Sequence, residues 1–337
     1  MQIHIELQIS SSGGFSMELS AVKTNAQCIK SNIQKVIIGK DETIDFILTS
    51  IIAGGHVLLE DTPGTGKTVL AKSLAKSLDG TFNRIQFTPD LLPSDITGMN
   101  IFNQEAHSFE FVAGPVFANI VLADEINRAT PRTQSALLEC MEEKQVTVDG
   151  QTRSLEKPFL VIATQNPIET AGTFTLPEAQ LDRFMMQLSM GFPTENEELA
   201  IMDRFVNANP IETLSAVCSK EDILAMGKLC QTVFVDRSVR KYMVDIINTT
   251  RNDPNISSGV SPRGTLALLK SSQVYAAIKG RNYVTPEDVK ALAIPVLAHR
   301  IVSYTNMAKN ANKANIIRNI LASVPVPTED FGLKATE

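Results

Sequence analysis

The fold is decided by one short stretch, HVLLEDTPGTGKTVLAKSL at residues 56–74. Its first residues, His56 to Leu59, form an apolar β-rich run, and beyond Thr68 leucines recur every fourth residue as far as Leu78, as on one face of a helix. A glycine-containing loop joins the two elements. A strand, such a loop and a helix in this order form a Walker A motif, whose backbone N–H groups surround phosphate at the start of the helix. The stretch therefore predicts a nucleoside triphosphate site.

The residues of this loop have separate expected roles. Lys67 would neutralise the β and γ phosphates, and the Thr68 hydroxyl would bind Mg²⁺. Asp61 stands where the consensus G-x-x-x-x-G-K-[ST] has its first glycine. We expect this departure to alter the start of the loop and to leave phosphate binding intact. Four further residues are expected to hold the nucleotide: Gly64, Thr65, Gly66 and Val69.

A second apolar run ends in two carboxylates. Residues 120–123 lead directly into Asp124 and Glu125. Acids at the carboxyl end of a buried strand face the crevice where α/β proteins bind ligands. We expect Asp124 to hold Mg²⁺ through water and Glu125 to orient and deprotonate the attacking water. Asn166 follows another apolar run and could lie between the γ-phosphate and that water, although asparagine before proline is also a common turn residue.

The order of elements predicts two domains. Five β-rich runs, at residues 56–59, 84–87, 120–123, 159–164 and 185–189, alternate with helical or loop-rich stretches, and three of them are apolar nearly throughout. Such runs are typical of strands buried on both faces in an α/β sandwich. Beyond them the pattern is helical, with a loop expected at residues 310–315. We predict an N-terminal extension at 1–16, an α/β nucleotide-binding domain at 17–192, a helical lid at 193–325 and a tail at 326–337.

Composition narrows the class of protein. The 337 residues are 43% hydrophobic and 20% charged, which is ordinary for globular domains. The net charge of -6 argues against a main task of binding nucleic-acid phosphates. The four cysteines form no CxxC pair, so neither a metal nor a redox site is expected. Without an apolar run of membrane-spanning length or a signal-like N-terminus, we expect a cytoplasmic protein with no membrane span.

The motifs together resemble AAA+ ATPases in order and approximate spacing. Beyond the loop, the two acids and Asn166, they include LDRF at residues 181–184 and SPRG at 261–264. Three phrases resemble the MoxR branch: ADEINRA at 123–129, ATQNP at 163–167 and LPEAQLDRF at 176–184. The likeness extends over residues 21–322. It implies a P-loop AAA+ fold, with a parallel five-stranded sheet sandwiched by helices and followed by a smaller all-α lid, and an ATPase that uses ATP and Mg²⁺.

The same resemblance implies roles for polar residues outside the loop. Asn166 becomes the sensor 1 residue, and Arg263 becomes the sensor 2 residue that reaches from the lid to the γ-phosphate. Arg183 becomes the arginine finger supplied to a neighbouring subunit, with Arg128 and Arg132 as alternatives. A finger that acts on a neighbour requires oligomerisation, and the family implies a ring of six.

A short segment before the loop also resembles part of the nucleotide site. Ile38 and Gly39 match the segment that lines the adenine pocket between the two domains in the family. Their apolar neighbours Val36 and Ile37 would suit a flat base, and core packing explains these side chains equally well.

Two inserted stretches bear on the substrate. Residues 97–113 contain two strand-like pieces, and residues 145–153 carry Asp149-Gly150 between alternating residues, which indicates a hairpin. Relatives with such inserts include DNA helicases, so a nucleic-acid motor is the alternative function. Residues 88–118 contain four acids and no Lys or Arg, however, and a DNA-holding loop needs cations. No nucleic acid is therefore expected.

We favour ATP-driven remodelling, assembly or maturation of a client protein, which includes metal insertion. The family implies a partner with a von Willebrand factor A domain. A binding scaffold without turnover is disfavoured because the residues for turnover are present.

Overall fold

The computed structural model of the protein describes residues 18–62, 64–166, 172–206, 209–304 and 309–327. The predicted extension at 1–16 and nearly all of the predicted tail at 326–337 lie outside these ranges. The strands are β1 (Val57–Glu60), β2 (Phe82–Gln86), β3 (Gly98–Asn103), β4 (Ser108–Ala113), β5 (Ile120–Asp124), β6 (Gln145–Val148), β7 (Gln151–Ser154), β8 (Leu160–Gln165), β9 (Met186–Leu188), β10 (Ile256–Ser258) and β11 (Val302–Ser303). The helices are α1 (Leu19–Gln34), α2 (Asp41–Ile52), α3 (Lys67–Ser77), α4 (Pro93–Thr97), α5 (Pro131–Glu143), α6 (Glu178–Leu181), α7 (Glu195–Phe205), α8 (Lys220–Cys230), α9 (Arg237–Asn252), α10 (Pro262–Ile278), α11 (Pro286–Leu297) and α12 (Lys309–Ser323).

The five predicted core strands form one sheet in the order β2-β5-β8-β1-β9. Every neighbouring pair is parallel, so all carboxyl ends lie at one edge. Successive side chains point to opposite faces: Leu122 and Ile162 belong to one hydrophobic core, and Val121 and Val161 belong to the other. Both faces are therefore covered, and the predicted α/β sandwich is confirmed.

The lid helices share a core with one face of the sheet. Leu268 of α10 and Leu292 of α11 are fully buried and belong to the same hydrophobic cluster as Leu59 of β1 and Ile29 of α1. Helix α10 contacts α1, α2, α8, α9 and α11, which places it at the centre of this layer. Its N-terminus begins at Pro262 after the capping residue Ser261, whose hydroxyl accepts from the Gly264 N–H.

Two details of the lid differ from the sequence prediction. The short strands β10 and β11 form an antiparallel pair in a region expected to be entirely helical. Residues 310–315, expected to form a loop, belong to α12. Buried Ile317 and Ile320 of this helix join the shared core, so tertiary packing outweighs the polar composition of its first turns. No helix in the described part of the chain has the length and apolar character that crossing a bilayer requires.

Both predicted inserts are hairpins, β3–β4 and β6–β7. In the second, Asp149 and Gly150 have φ angles of 49° and 76° at the turn, as the Asp-Gly pair predicts. The two hairpins touch: Asn100 donates to the Asp149 carboxylate at 2.7 Å, and the Arg153 guanidinium lies 3.9 Å from the centre of the Phe111 ring. They therefore form one joined surface unit.

Candidate active site

A cavity of about 390 Å³ opens at the carboxyl edge of the sheet, where β1, β5 and β8 end. It collects side chains from distant parts of the sequence because parallel strands end at one edge. Eight residues that the sequence assigned to the site line it: Gly64, Gly66, Lys67, Thr68, Val69, Asp124, Glu125 and Asn166.

The loop between β1 and α3 has the geometry of a phosphate cradle. Gly64 and Gly66 both have φ of 87°, and nothing lies within 4 Å of the position where either would carry a Cβ. Glycine adopts this conformation at little cost and leaves the space open. Lys67 begins α3, so its ammonium adds to the positive end of the helix dipole. Among the described residues no hydrogen-bond partner is found for the buried Thr65 hydroxyl. Open space, a free hydroxyl and a helix N-terminus fit a polyphosphate.

Asp61, which replaces the first consensus glycine, lines the cavity, and its carboxylate is engaged by the segment that follows β9. Its carboxylate is buried and accepts from the Ser189 hydroxyl at 2.7 Å and from the N–H groups of Met190 and Gly191 at 2.7 and 3.0 Å. Its carbonyl accepts from Lys67 Nζ at 3.0 Å. The side chain therefore ties the start of the loop to the segment that leaves β9 for the lid.

Asp124 is held from two sides at the end of β5. Its Oδ1 accepts from the Thr164 hydroxyl at 2.6 Å, and its Oδ2 accepts from Arg84 of β2 at 2.6 Å. Together with the Thr68 hydroxyl it offers the oxygen ligands that Mg²⁺ prefers. The oxygens of Thr68 and Asp124 thus fit Mg²⁺, and the Asp124 carboxylate also binds the Arg84 guanidinium.

Glu125 is fixed by its backbone as well as by its side chain. It has φ 56° and ψ 49°, an uncommon left-handed conformation for a residue other than glycine, and its N–H donates to the Thr164 hydroxyl at 2.8 Å. Its Oε2 accepts from Gln86 Nε2 at 2.9 Å and lies 3.1 Å from Arg128 Nε. Arg128, one of the alternative finger residues, is therefore paired with the acid of its own chain.

Sequence reasoning missed Arg84, Gln86 and Thr164. Arg84 and Gln86 alternate with buried Ile85 on β2, so they share one face of this edge strand. This alternation was the available signal. That the face meets the two acids depends on the register in which Gln86 lies opposite Asp124, which no local pattern reveals.

Arg183 and Arg263 lie outside the cavity that holds Lys67. Both contact one carboxylate near the end of α5: Arg183 Nε lies 3.2 Å from Glu142 Oε2, and Arg263 of α10 is paired with Glu142 Oε1. They line a second cavity of about 300 Å³ beside Gly55 and His56, which precede β1.

This arginine pair belongs to the amino edge of the sheet. The Met185 N–H donates to the His56 carbonyl at 2.8 Å where β9 and β1 begin. The amino and carboxyl edges of the sheet are separated by the length of a strand, which for the six-residue β8 is roughly 17 Å at about 3.3 Å per residue. The structure therefore places Arg263 with Arg183 at the amino edge of its own chain, and the expectation that it reaches the γ-phosphate stays a prediction.

An ion pair between partly exposed Asp182 and buried Arg300 anchors the turn that carries Arg183. The Asp182 carboxylate accepts from Arg300 Nε at 2.8 Å and from the Ser261 hydroxyl, the cap of α10, at 2.9 Å. Arg300 also donates to the Phe184 carbonyl at 2.6 Å. Burial lowers the pKa of Arg300 to about 10, and the charge of Asp182 opposes that shift. The Arg183 turn is thereby fixed to the lid.

Ile38 and Gly39 do not line the cavity of the described loop. Gly39 has φ of 70°, and a Cβ there would fall within 1.6 Å of Glu197 Oε1 from α7. Val36 and Ile37 are buried. The segment is thus packed against the start of α7, and its proposed contact with adenine stays a prediction.

Comparisons with known proteins agree with this architecture. Residues 56–186 match the ATPase family associated with various cellular activities (AAA), and residues 248–320 match the AAA lid domain. The chain is 49% identical to the uncharacterised protein YeaC of Bacillus subtilis, over 88% of this chain and 93% of the relative. It is 39% identical to Chaperone MoxR1 of Mycobacterium tuberculosis, over 88% of this chain and 80% of the relative.

A solved structure shows the same fold over nearly the whole chain. The crystal structure of a candidate ATPase from Cytophaga hutchinsonii superposes with a TM-score of 0.85 at 40% identity, covering 92% of this chain and 97% of that one. The fold, the motif order and the sequence matches therefore agree, and the chain belongs to the MoxR family of AAA+ ATPases.

Proposed function

We propose that this protein is a Mg²⁺-dependent ATPase that works as an oligomeric ring and remodels, assembles or matures a client protein. The observation that carries the proposal is the convergence of Lys67, Thr68, Asp124, Glu125 and Asn166 on one cavity at the carboxyl edge of the sheet. Each of these groups matches a requirement of phosphoryl transfer, which depends on positioning and charge stabilisation.

In the proposed mechanism different residues bind the phosphates, bind Mg²⁺ and activate the attacking water. Lys67 and the N–H groups of the loop hold the phosphates, and Thr68 and Asp124 hold Mg²⁺. When bound, the ion would neutralise charge that develops on the phosphate oxygens. Glu125 accepts the proton of the attacking water, while Gln86 and the backbone bond to Thr164 keep its carboxylate at the cavity.

The cations that complete the site are proposed to come from a neighbouring subunit. In one chain Arg183 and Arg263 lie at the amino edge, a strand length from Lys67. A head-to-tail contact would bring the amino edge of one subunit to the carboxyl edge of the next. An arginine supplied to the phosphates in this way is worth about 10³ to 10⁵ in rate in related systems. A ring of six is the number that the family resemblance implies.

A protein client is favoured over nucleic acid by the surface of the inserts. Phe102 and Phe109 stack edge to face with ring centres 5.4 Å apart, and both are largely exposed. Phe111 of the same hairpin is covered by Arg153. Exposed apolar side chains among acids suit a protein surface better than a phosphate backbone. By the family resemblance we further propose an adaptor with a von Willebrand factor A domain, and metal insertion as one form of maturation.

The test of the function is ATP turnover with and without the proposed base. The wild-type protein with Mg²⁺ should release phosphate, and Glu125→Gln should bind ATP with turnover lowered by at least about 10² because the water loses its base. Lys67→Ala should lose binding as well. A Glu125→Gln protein that hydrolyses ATP at the wild-type rate would contradict the assigned role. Stimulation of the wild-type rate by DNA, but by no protein, would favour the helicase-like alternative.

A further inference from the structure

One carboxylate connects the two arginines of the amino edge. Glu142 contacts Arg183, which follows α6 in the α/β domain, and Arg263, which lies in the first turn of α10 in the lid. Each arginine uses a different oxygen of the carboxylate. The three side chains are about one third to one half exposed, so they are accessible from solvent. Glu142 therefore bridges two segments that are 80 residues apart in the sequence.

The surroundings of this bridge are strongly cationic. The cavity is also lined by Lys144, Lys270 and Arg300, and its second acid, Asp182, is engaged by Arg300. Burial lowers the pKa of Lys144, and the charges of Lys157 and Lys270 lower it further. Two guanidinium groups side by side in such a field repel each other unless an anion lies between them. Glu142 supplies that anion.

The bridge leaves most of each guanidinium free for another ligand. Arginine carries five N–H donors in a planar fork. Arg183 approaches Glu142 by Nε, and no hydrogen bond from its two terminal nitrogens is found among the described residues. Arg263 uses one terminal nitrogen. The carboxylate thus fixes the direction of both side chains and leaves most of their donors available to bind phosphate oxygens.

We propose that Glu142 is a positioning residue that holds Arg183 and Arg263 together as one two-cation unit for the triphosphate of a neighbouring subunit. The inference rests on the proposed function, because it assigns a task to these arginines in the assembled ring. Preorganised cations stabilise developing charge without reorganising during the reaction. Loss of the bridge therefore lowers the rate of the chemical step and leaves the nucleotide-holding loop of the neighbour unchanged.

The first measurement is steady-state ATP hydrolysis by Glu142→Gln. This isosteric change removes the charge, so we expect kcat to fall by at least about tenfold and KM for ATP to change by less than about threefold. Glu143→Gln is the matched control: it lies on the same helix, it is exposed, and no contact of its side chain is found among the described residues. Its kcat should equal that of the wild type.

A mixing experiment separates positioning in trans from damage to the fold. The Glu142→Gln chain keeps an intact nucleotide-holding loop, and the Lys67→Ala chain keeps an intact arginine pair. In a mixed ring, a site that takes its loop from the first chain and its arginines from the second is therefore intact. Random 1:1 mixing should restore about a quarter of the wild-type rate, since about half of the chains keep Lys67 and half of their neighbours keep Glu142. Lys67→Ala mixed with Glu125→Gln is the negative control, because both changes damage the loop side of a site.

Each outcome decides one claim. Recovery on mixing supports the positioning role. Wild-type kcat in Glu142→Gln overturns it, an increased kcat overturns it in favour of an inhibitory clamp, and a loss that mixing does not restore overturns it in favour of a role within one chain. In all three cases a hydrolysing wild type leaves the proposed function standing. A wild-type protein that does not hydrolyse ATP is the result that removes the proposed function itself.

Discussion

Asp61 replaces a consensus glycine and yet is tied into the structure by three hydrogen bonds. Its carboxylate accepts from the Ser189 hydroxyl and from two backbone N–H groups, at Met190 and Gly191, in a buried position. A buried donor left without its acceptor costs about 1–3 kcal/mol. The residue that departs from the general motif therefore stabilises the connection between the nucleotide loop and the lid.

We predict that restoring the consensus glycine at position 61 destabilises the folded protein. Asp61→Gly should lower the free energy of unfolding by about 2–4 kcal/mol, because it leaves buried donors near Gly191 unpaired and adds backbone freedom. Asp61→Asn should lie between the variant and the wild type, since its amide oxygen still accepts. Urea denaturation measures both changes. Equal midpoints for Asp61→Gly and the wild type would show that the three bonds contribute nothing net.

Residue roles were predictable where the chemistry is local in sequence. Lys67, Thr68, Asp124 and Glu125 stand in short motifs, and the structure brings them to one cavity. The partners of Asp61 and the bridge at Glu142 could not be predicted, because they join positions 128 and 121 residues apart. Such contacts depend on the register of the sheet and on the docking of the lid, and neither leaves a pattern in the neighbouring sequence.

Among the elements, hairpins and buried strands were the most predictable. Asp149-Gly150 fixes a turn through backbone conformation alone, and apolar runs of four to six residues identify buried strands. Only the start of helix α12, at residues 310–315, is predicted as a loop, because its asparagine-rich sequence has low helix propensity. Its helix is stabilised instead by the packing of Ile317 and Ile320.

The contact between the hairpins yields a prediction for β3 and β4. Arg153→Ala removes the guanidinium from the Phe111 ring, a contact worth about 1 kcal/mol at a partly exposed site. Backbone amides of β3 and β4 should then exchange hydrogen about fivefold faster. Arg153→Lys, which keeps a cation near the ring, should show a smaller increase. Unchanged exchange in Arg153→Ala would mean that the two hairpins are not energetically coupled.

For the whole molecule, the ion pair between Asp182 and buried Arg300 joins the α/β domain to the lid. Asp182→Asn leaves the Arg300 guanidinium buried without a counter-charge, so we expect the free energy of unfolding to fall by about 3 kcal/mol. Asp245→Asn is the matched control, because its pair with Lys241 is exposed on α9 and should contribute less than about 0.5 kcal/mol. Thermal unfolding compares them. Equal losses would show that the domain junction carries no special stability.

The separation of the two edges of the sheet determines how the number of complete catalytic sites depends on the number of assembled subunits. If each working centre takes its loop from one molecule and its arginines from the next, a row of n molecules with free ends contains only n − 1 centres, and a lone molecule contains none. Closing the row into a circle adds the last centre without adding a molecule. The rate of ATP turnover per molecule then rises with protein concentration, from zero towards a plateau. The plateau is reached only when every assembly is a closed ring.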